Sequence, residues 1–220
     1  IHCGLVGSEM CIRDSLEYRS IERGRLAILK GTALDDLQPK PARAFEASVK
    51  ALSNFGFKIK EIEIDEVESA LALSRLVYPS EAYAEWKDTI EAAPELMYGE
   101  ILQRFRGGKD VLASEYLKAM KDLEMFKKQY AAKCSEFDGV ILPTCPIMPP
   151  NLERLESDNR YYVSQNLMAL RNTRIGNLMG ICSLTIPTTY NSCGLSIMAL
   201  PNREEKLLSL GKAAEMAILK

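Results

Sequence analysis

Arg171-Asn-Thr-Arg-Ile-Gly-Asn-Leu-Met-Gly-Ile-Cys-Ser-Leu-Thr-Ile-Pro187, followed by Cys193-Gly-Leu-Ser-Ile-Met-Ala-Leu200, decides the fold. The run from Arg171 predicts a helix that empties into a buried strand over residues 183–187. A short turn leads to a second apolar strand over residues 193–200, and a closing helix starts at Glu204. Both strands read as too apolar to face water.

Working outward, Arg25-Leu-Ala-Ile-Leu29 is a short apolar run ended by Lys30-Gly31, the pattern of a buried strand. Asp35 and Asp36, then Pro39 and Pro41, mark the turn into a helix whose Ala42, Phe45, Val49 and Leu52 share one face. Asn54 and Gly56 supply its stop. Residues 57–65 alternate apolar and charged, which predicts a half-buried strand near a sheet edge. A strand, a helix and a strand of these lengths form a parallel crossover, so an α/β sheet is expected.

From Glu66 to Glu136 the pattern is helical, with breaks expected at Pro79, Pro94 and Gly107-Gly108. In residues 114–137, Tyr116, Ala119, Met120, Leu123, Phe126 and Tyr130 form one stripe, read as core packing. Val140-Ile-Leu142 is a further buried strand. It runs into a loop stiffened by Pro143, Pro146, Pro149 and Pro150, a suitable pocket wall beyond the carboxyl end of a strand.

Composition excludes several classes. The 220 residues are 47% hydrophobic and 26% charged, with a net charge of -2. Interleaved charges leave no basic stripe for nucleic acid. No apolar run reaches the roughly 18 residues of a membrane span. The six cysteines, Cys3, Cys11, Cys134, Cys145, Cys182 and Cys193, have no zinc spacing, and the one histidine is His2. A reduced, cytoplasmic protein with free thiols and no metal is the expectation. Residues 1–20 are expected to be a non-native or disordered leader, because residues 1–15 lack any helical or strand period.

Taken together, these segments resemble the C-terminal portion of the amidase signature family. The resemblance rests on the 171–200 run, Gly24-Arg-Leu-Ala-Ile-Leu29 with its Ala44-Phe-Glu-Ala47 helix, the 101–117 segment, and Asp138-Gly-Val-Ile-Leu-Pro-Thr-Cys-Pro146. It implies an α/β fold over residues 21–220, with a mixed β-sheet covered by helices. It also implies amide C–N hydrolysis through an acyl-serine intermediate, without cofactor. The family's serine pair sits in a Gly-Gly-Ser-Ser-Gly-Gly-like run, and neither that run nor the preceding lysine occurs in this sequence. No residue here therefore inherits a catalytic role, and this chain on its own is expected to be inactive. The implied partners are a small amide substrate and the missing N-terminal half. Nucleic acid and membrane are not expected as direct partners, and a homodimer stays open. The alternatives are a non-catalytic interaction module and the A-type chain of glutamine-dependent tRNA amidotransferase.

Ser209-x-x-Lys212 mimics the S-x-x-K pattern of penicillin-recognising enzymes, but the companion elements are missing. Thr173, Arg174 and Asn177 are polar groups entering an apolar run, and each needs a partner or a ligand. The bland reading has Thr173 and Asn177 bonding the local backbone. By the resemblance, these three residues, with Cys182 and Thr144, line the substrate cleft. Arg104 resembles the glutamine-binding arginine of the tRNA amidotransferases, with Arg106 leaving the register ambiguous; the bland reading is a solvated helix arginine.

Overall fold

A computed structural model describes residues 24–219. The expected leader at residues 1–20, with His2, Cys3 and Cys11, lies outside that range. The chain divides into two compact units.

The first unit joins residues up to Ile64 with those from Ala131 onward. Strand β1 (Arg25–Leu29) is buried from Leu26 onward. Helix α1 (Pro39–Phe55) opens on proline, whose missing N–H costs nothing in a first turn. It turns Pro41, Ala44, Phe45, Ser48 and Leu52 inward and closes on Gly56. Gly56 holds φ of 115°, a left-handed conformation that glycine adopts without a Cβ penalty. Strand β2 (Lys58–Ile62) then pairs in parallel with β1, Leu26 against Ile59. It forms one sheet edge, with Lys58, Lys60 and Glu61 exposed, so its charges blunt that edge.

The second unit, Asp65–Tyr130, is helical. Its helices are α2 (Asp65–Ala92), α3 (Gly99–Arg106) and α4 (Ala113–Cys134), the last running on into the first unit. Pro79 does not break α2 but lies inside it. The proline withholds one N–H from the ladder, and the Ser80 hydroxyl donates to the Leu76 carbonyl at 2.6 Å beside it. The backbone of Gly108 approaches Pro79 so closely that a Cβ there would overlap the Pro79 carbonyl and come within 2.8 Å of Ser80 N. On α4, Ala119, Leu123 and Tyr130 are buried, matching the expected stripe.

Back in the first unit, β3 (Gly139–Pro143) takes the centre of the sheet, fully buried and parallel to β1. Helices α5 (Leu152–Ser157), α6 (Asn159–Ala169) and α7 (Arg171–Met179) follow. The last elements are β4 (Cys182–Pro187), β5 (Gly194–Ala199) and α8 (Glu204–Leu219). The strand order is β2-β1-β3-β5-β4, and β5 is antiparallel to both neighbours. The sheet is thus mixed, as expected. Its core joins Leu26, Ile28, Ile141, Leu195 and Ile197 to Phe45 and Leu52 of α1 and to Leu207, Leu210 and Ala214 of α8. Each fully buried aliphatic side chain contributes about 1.5–3 kcal/mol of transfer free energy.

One strand differs from its expectation. β4 is the second sheet edge, not a strand buried on both faces: Ser183, Thr185 and Pro187 are exposed and Ile186 is buried. Its alternation was masked by apolar flanks, and only one face packs, against β5 and α8.

Candidate functional site

The parallel strands β1 and β3 end side by side, and the loops that leave them are fastened together. Gln38 donates its backbone N–H to the Pro146 carbonyl at 2.9 Å, and its side-chain Oε1 accepts from Met148 N at 2.8 Å. Asn172, 1% exposed, spans the same two strand ends: its Nδ2 donates to Ala33 O at 3.0 Å and to Pro143 O at 2.7 Å. Beside it, Arg171 donates Nη2–H to Asp35 O at 2.6 Å and Nε–H to Asn172 Oδ1 at 3.3 Å. Burial pulls the Arg171 guanidinium below its ordinary pKa, and the charges of Asp35 and Asp36 oppose that pull. It remains a cation, since arginine titrates far above neutrality.

Next to this bracket lies a triangle of hydroxyls. Thr144 Oγ1 is 2.8 Å from Ser196 Oγ and 3.4 Å from Thr185 Oγ1, and Thr185 Oγ1 is 3.1 Å from Ser196 Oγ. Ser196 is buried, Thr144 half-buried and Thr185 exposed, so the cluster opens outward at Thr185. Register builds it: Thr185 stands opposite Ser196 on β4 and β5, and Thr144 follows the last paired residue of β3. Neutral hydroxyls both donate and accept, so the trio can orient a polar ligand but supplies no base.

Thr173 is exposed, and its hydroxyl donates to Leu170 O at 3.1 Å, the local backbone bond of the bland reading. Arg174 sends Nε–H and Nη2–H to the Leu170 and Leu167 carbonyls, at 3.3 and 2.9 Å, and so caps the C-terminal end of α6. Asn177 is exposed on the same side of α7 as Thr173. The polar groups that enter the core are instead Arg171 and Asn172, which share their helix face with Ile175, Leu178 and Met179. Cys182 lies at the opposite end of β4 from Thr185. Its thiol is 3.2 Å from Glu204 Oε1, burial pushes its pKa up, and it borders a cavity of about 460 Å³ with Ser183, Leu184, Asn202, Glu204 and Leu207. A protonated thiol of this kind is a poor nucleophile. Arg104 belongs to the helical unit, on α3. There Arg106 is the arginine bound by Glu91, through Nε–H at 2.9 Å and Nη2–H at 2.7 Å.

Sequence reading missed Arg171, Asn172, Thr185 and Ser196. For the first two a signal existed: spacing of i, i+1, i+4, i+7 and i+8 from Arg171 gathers one buried helix face. The Ser209–Lys212 pattern builds no dyad, because Ser209 donates to Glu205 O at 3.1 Å while Lys212 pairs with Glu215 at 3.6 Å. Among the described residues no group of three or more His, Cys, Asp or Glu side chains could hold a metal ion. Nor is any described helix long and apolar enough to cross a membrane.

Known proteins resemble this chain in sequence and in fold. The chain is 28% identical over 190 residues to 2-amino-5-chloromuconic acid deaminase of Comamonas testosteroni, covering 84% of this chain and 41% of that protein. It is 26% identical over 230 residues to the A-type chain of glutamyl-tRNA(Gln) amidotransferase from Sulfolobus acidocaldarius, covering 92% and 47%. It therefore spans less than half the length of each. Kluyveromyces lactis allophanate hydrolase has the same fold, with a TM-score of 0.79 at 18% identity over 91% of this chain and 33% of that one. The family model described as Amidase matches residues 13–208, nearly the whole sequence, and the chain belongs to that family.

Proposed function

We propose that this chain is the C-terminal, substrate-pocket part of an amidase that cleaves amide C–N bonds through an acyl-serine intermediate. The observation that supports this reading is the amidase match over residues 13–208, in a chain less than half as long as its relatives. On this reading the nucleophile, its proton acceptor and the oxyanion donors come from the N-terminal half. This chain contributes orientation. Thr144, with Thr185 and Ser196, offers hydroxyls to a polar substrate group, and the exposed Thr173 and Asn177 of α7 face the acyl side of the cleft, while Arg174 serves α6 and Cys182 a separate cavity. The substrate is a small amide, the reaction needs no cofactor, and the enzyme works in the cytoplasm.

The test is hydrolysis of simple amides by the purified chain, alone and mixed with a polypeptide carrying the N-terminal serine–lysine half. The chain alone should be inert and the mixture active. Turnover by the chain alone, abolished by a point substitution within it, would overturn the proposal. A clean monomer that binds no hydrophobic dye and gains no activity from the mixture would favour an interaction module instead.

A second reading, the glutamine-hydrolysing chain of a tRNA amidotransferase, draws on the Sulfolobus relative and gives Arg104 the glutamine carboxylate. In the complemented protein, Arg104→Ala should then raise the KM for glutamine while sparing uncharged amides. Equal effects on both would exclude it.

A further inference from the structure

The same strand ends carry two thiols that the proposed function leaves unused. The β3–β5 ladder pairs Val140 with Met198 and Pro143 with Leu195. Thr144 then donates its N–H to the Gly194 carbonyl at 2.9 Å, which adds one more rung. Each rung advances one residue on β3 and retreats one on β5, so the next opposed positions are Cys145 and Cys193. The strand pairing itself ends at Pro143 and Leu195, so Cys145 and Cys193 flank the last hydrogen bond that joins the two strands. A disulfide joins Cα atoms roughly 4.4–6.8 Å apart, a reach suited to residues on either side of one cross-strand hydrogen bond.

The surroundings agree with the register. The chain bends at Thr144, where the proline-rich loop begins. Burial pushes the Cys193 thiol up, Lys40 draws it down, and Cys145 adds to the rise. Arg171 feels the charge of Cys145 as well. Met148 Sδ lies 3.8 Å from Cys193 Sγ. Both cysteines are reduced and only half-buried. The pair thus flanks one cross-strand hydrogen bond and is reachable by a small oxidant.

We propose that Cys145 and Cys193 form an oxidisable dithiol that closes to a disulfide under hydroperoxide, tying the proline-rich loop to the turn between β4 and β5. One thiolate attacks the peroxide, breaking its O–O bond; the sulfur becomes a sulfenic acid and the other oxygen leaves as alcohol or water after taking a proton. The second thiolate attacks the sulfenyl sulfur. The S–S bond forms, the S–OH bond breaks and hydroxide departs as water after protonation. Two thiols lose two electrons and two protons in all, and one peroxide is reduced. The disulfide would close the rim beside Thr144, so the clamp acts on the loop that begins at this one member of the hydroxyl trio.

The experiment treats the full chain with hydrogen peroxide in native buffer, alkylates the remaining thiols and maps peptides without reduction. Two of the six cysteines should escape alkylation, the mass should fall by two hydrogens, and one linked peptide should join Cys145 to Cys193. A reductant should restore both thiols. Cys145→Ser and Cys193→Ser should each abolish the linked peptide while keeping the far-UV circular dichroism of the parent. The wild-type map stands even if a variant misfolds. Overturning results are linkage of either cysteine to Cys3, Cys11, Cys134 or Cys182, sulfinic acid at either without linkage, or full alkylation of both after treatment.

Discussion

The α/β unit and the helical unit are stabilised by different means. In the first, β1, β3 and β5 lie at the centre of a sheet, and Leu26, Ile141, Leu195, Ile197 and Leu210 are wholly shielded from solvent. In the second, α2 turns inward mostly small side chains, with Val67, Ala70, Ser74, Val77 and Ile90 buried. Trp86, Leu96, Tyr98, Leu112, Leu117 and Met125 stay exposed. Its polar ties lie near the surface: Glu91 holds Arg106, and Tyr116 donates to Glu81 at 3.0 Å. Apolar burial scales with area and resists salt, whereas exposed ion pairs are weak and screened. The difference teaches that the helical unit should open first, at lower denaturant or temperature, while the sheet unit sets the global stability.

The largest effect should come from cutting the sheet unit's core. Leu210→Ala, at a side chain with 0% exposure, should cost about 3–4 kcal/mol in urea unfolding. Leu117→Ala, at 66% exposure in the helical unit, should stay within about 0.5 kcal/mol. Equal losses would erase the contrast. Next, Gly108→Ala forces a Cβ into the Pro79 carbonyl and should cost about 2–3 kcal/mol. Hydrogen exchange should place that loss in residues 65–130 and leave the strands protected. Faster exchange in β1 or β3 would show that the two units unfold together.

Polar groups in the sheet unit give a third test. Asn172→Ala strips the Ala33 and Pro143 carbonyls of their shared donor and should cost about 2 kcal/mol. The neighbouring Thr173→Ala, on the outer face, should stay within about 0.5 kcal/mol. A reversed order would put the helix phase of α7 in doubt. Asp138 comes fourth. It accepts Arg25 N–H and Lys206 Nζ–H, each at 2.6 Å. Burial raises its pKa, but those two partners outweigh burial and hold it below the ordinary aspartate value. Its contribution is complete above the unfolded-state pKa and is lost as pH falls through the lower folded value. Asp138→Asn should therefore cost about 1 kcal/mol at neutral pH and nothing in strong acid.

The same contrast governs what the sequence discloses. β1, β2 and α1 could be read because period, caps and flanking punctuation agree: the buried run of Leu26–Leu29, the alternation from Phe57 and the stop at Gly56 all point one way. Pro79 misleads, because proline's local penalty predicts a helix end where the helix in fact continues. β4 misled because an apolar flank hid a period of two. The hydroxyl triangle was legible only at Thr144. Thr185 and Ser196 meet it through β4–β5 register, which no single segment encodes. Arg171 and Asn172 stand one helical phase away from Thr173, Arg174 and Asn177, and polarity alone does not tell the buried set from the exposed one.

The smallest expected effect belongs to the helical unit's own ion pair, and it separates the two units by pH and salt together. The Arg106 guanidinium, bonded to the Glu91 carboxylate, lowers the glutamate's pKa most; desolvation opposes it, and the Arg106 charge, the Tyr83 hydroxyl and Lys109 add to the lowering. Because the folded pKa lies below the unfolded one, this stabilisation is whole above the ordinary glutamate range and vanishes as pH falls through the folded value. Glu91→Gln should slightly lower the melting of residues 65–130 at neutral pH and low salt. The difference should shrink in high salt, since the pair is exposed and screened, and disappear in strong acid, where the parent's Glu91 is protonated too. Asp138→Asn should share the acid behaviour yet keep more of its effect in salt, because its carboxylate is more buried and also accepts a backbone N–H. If both variants lost their effect equally in salt, the two units would share one kind of electrostatics, and their contrast would rest on core packing alone.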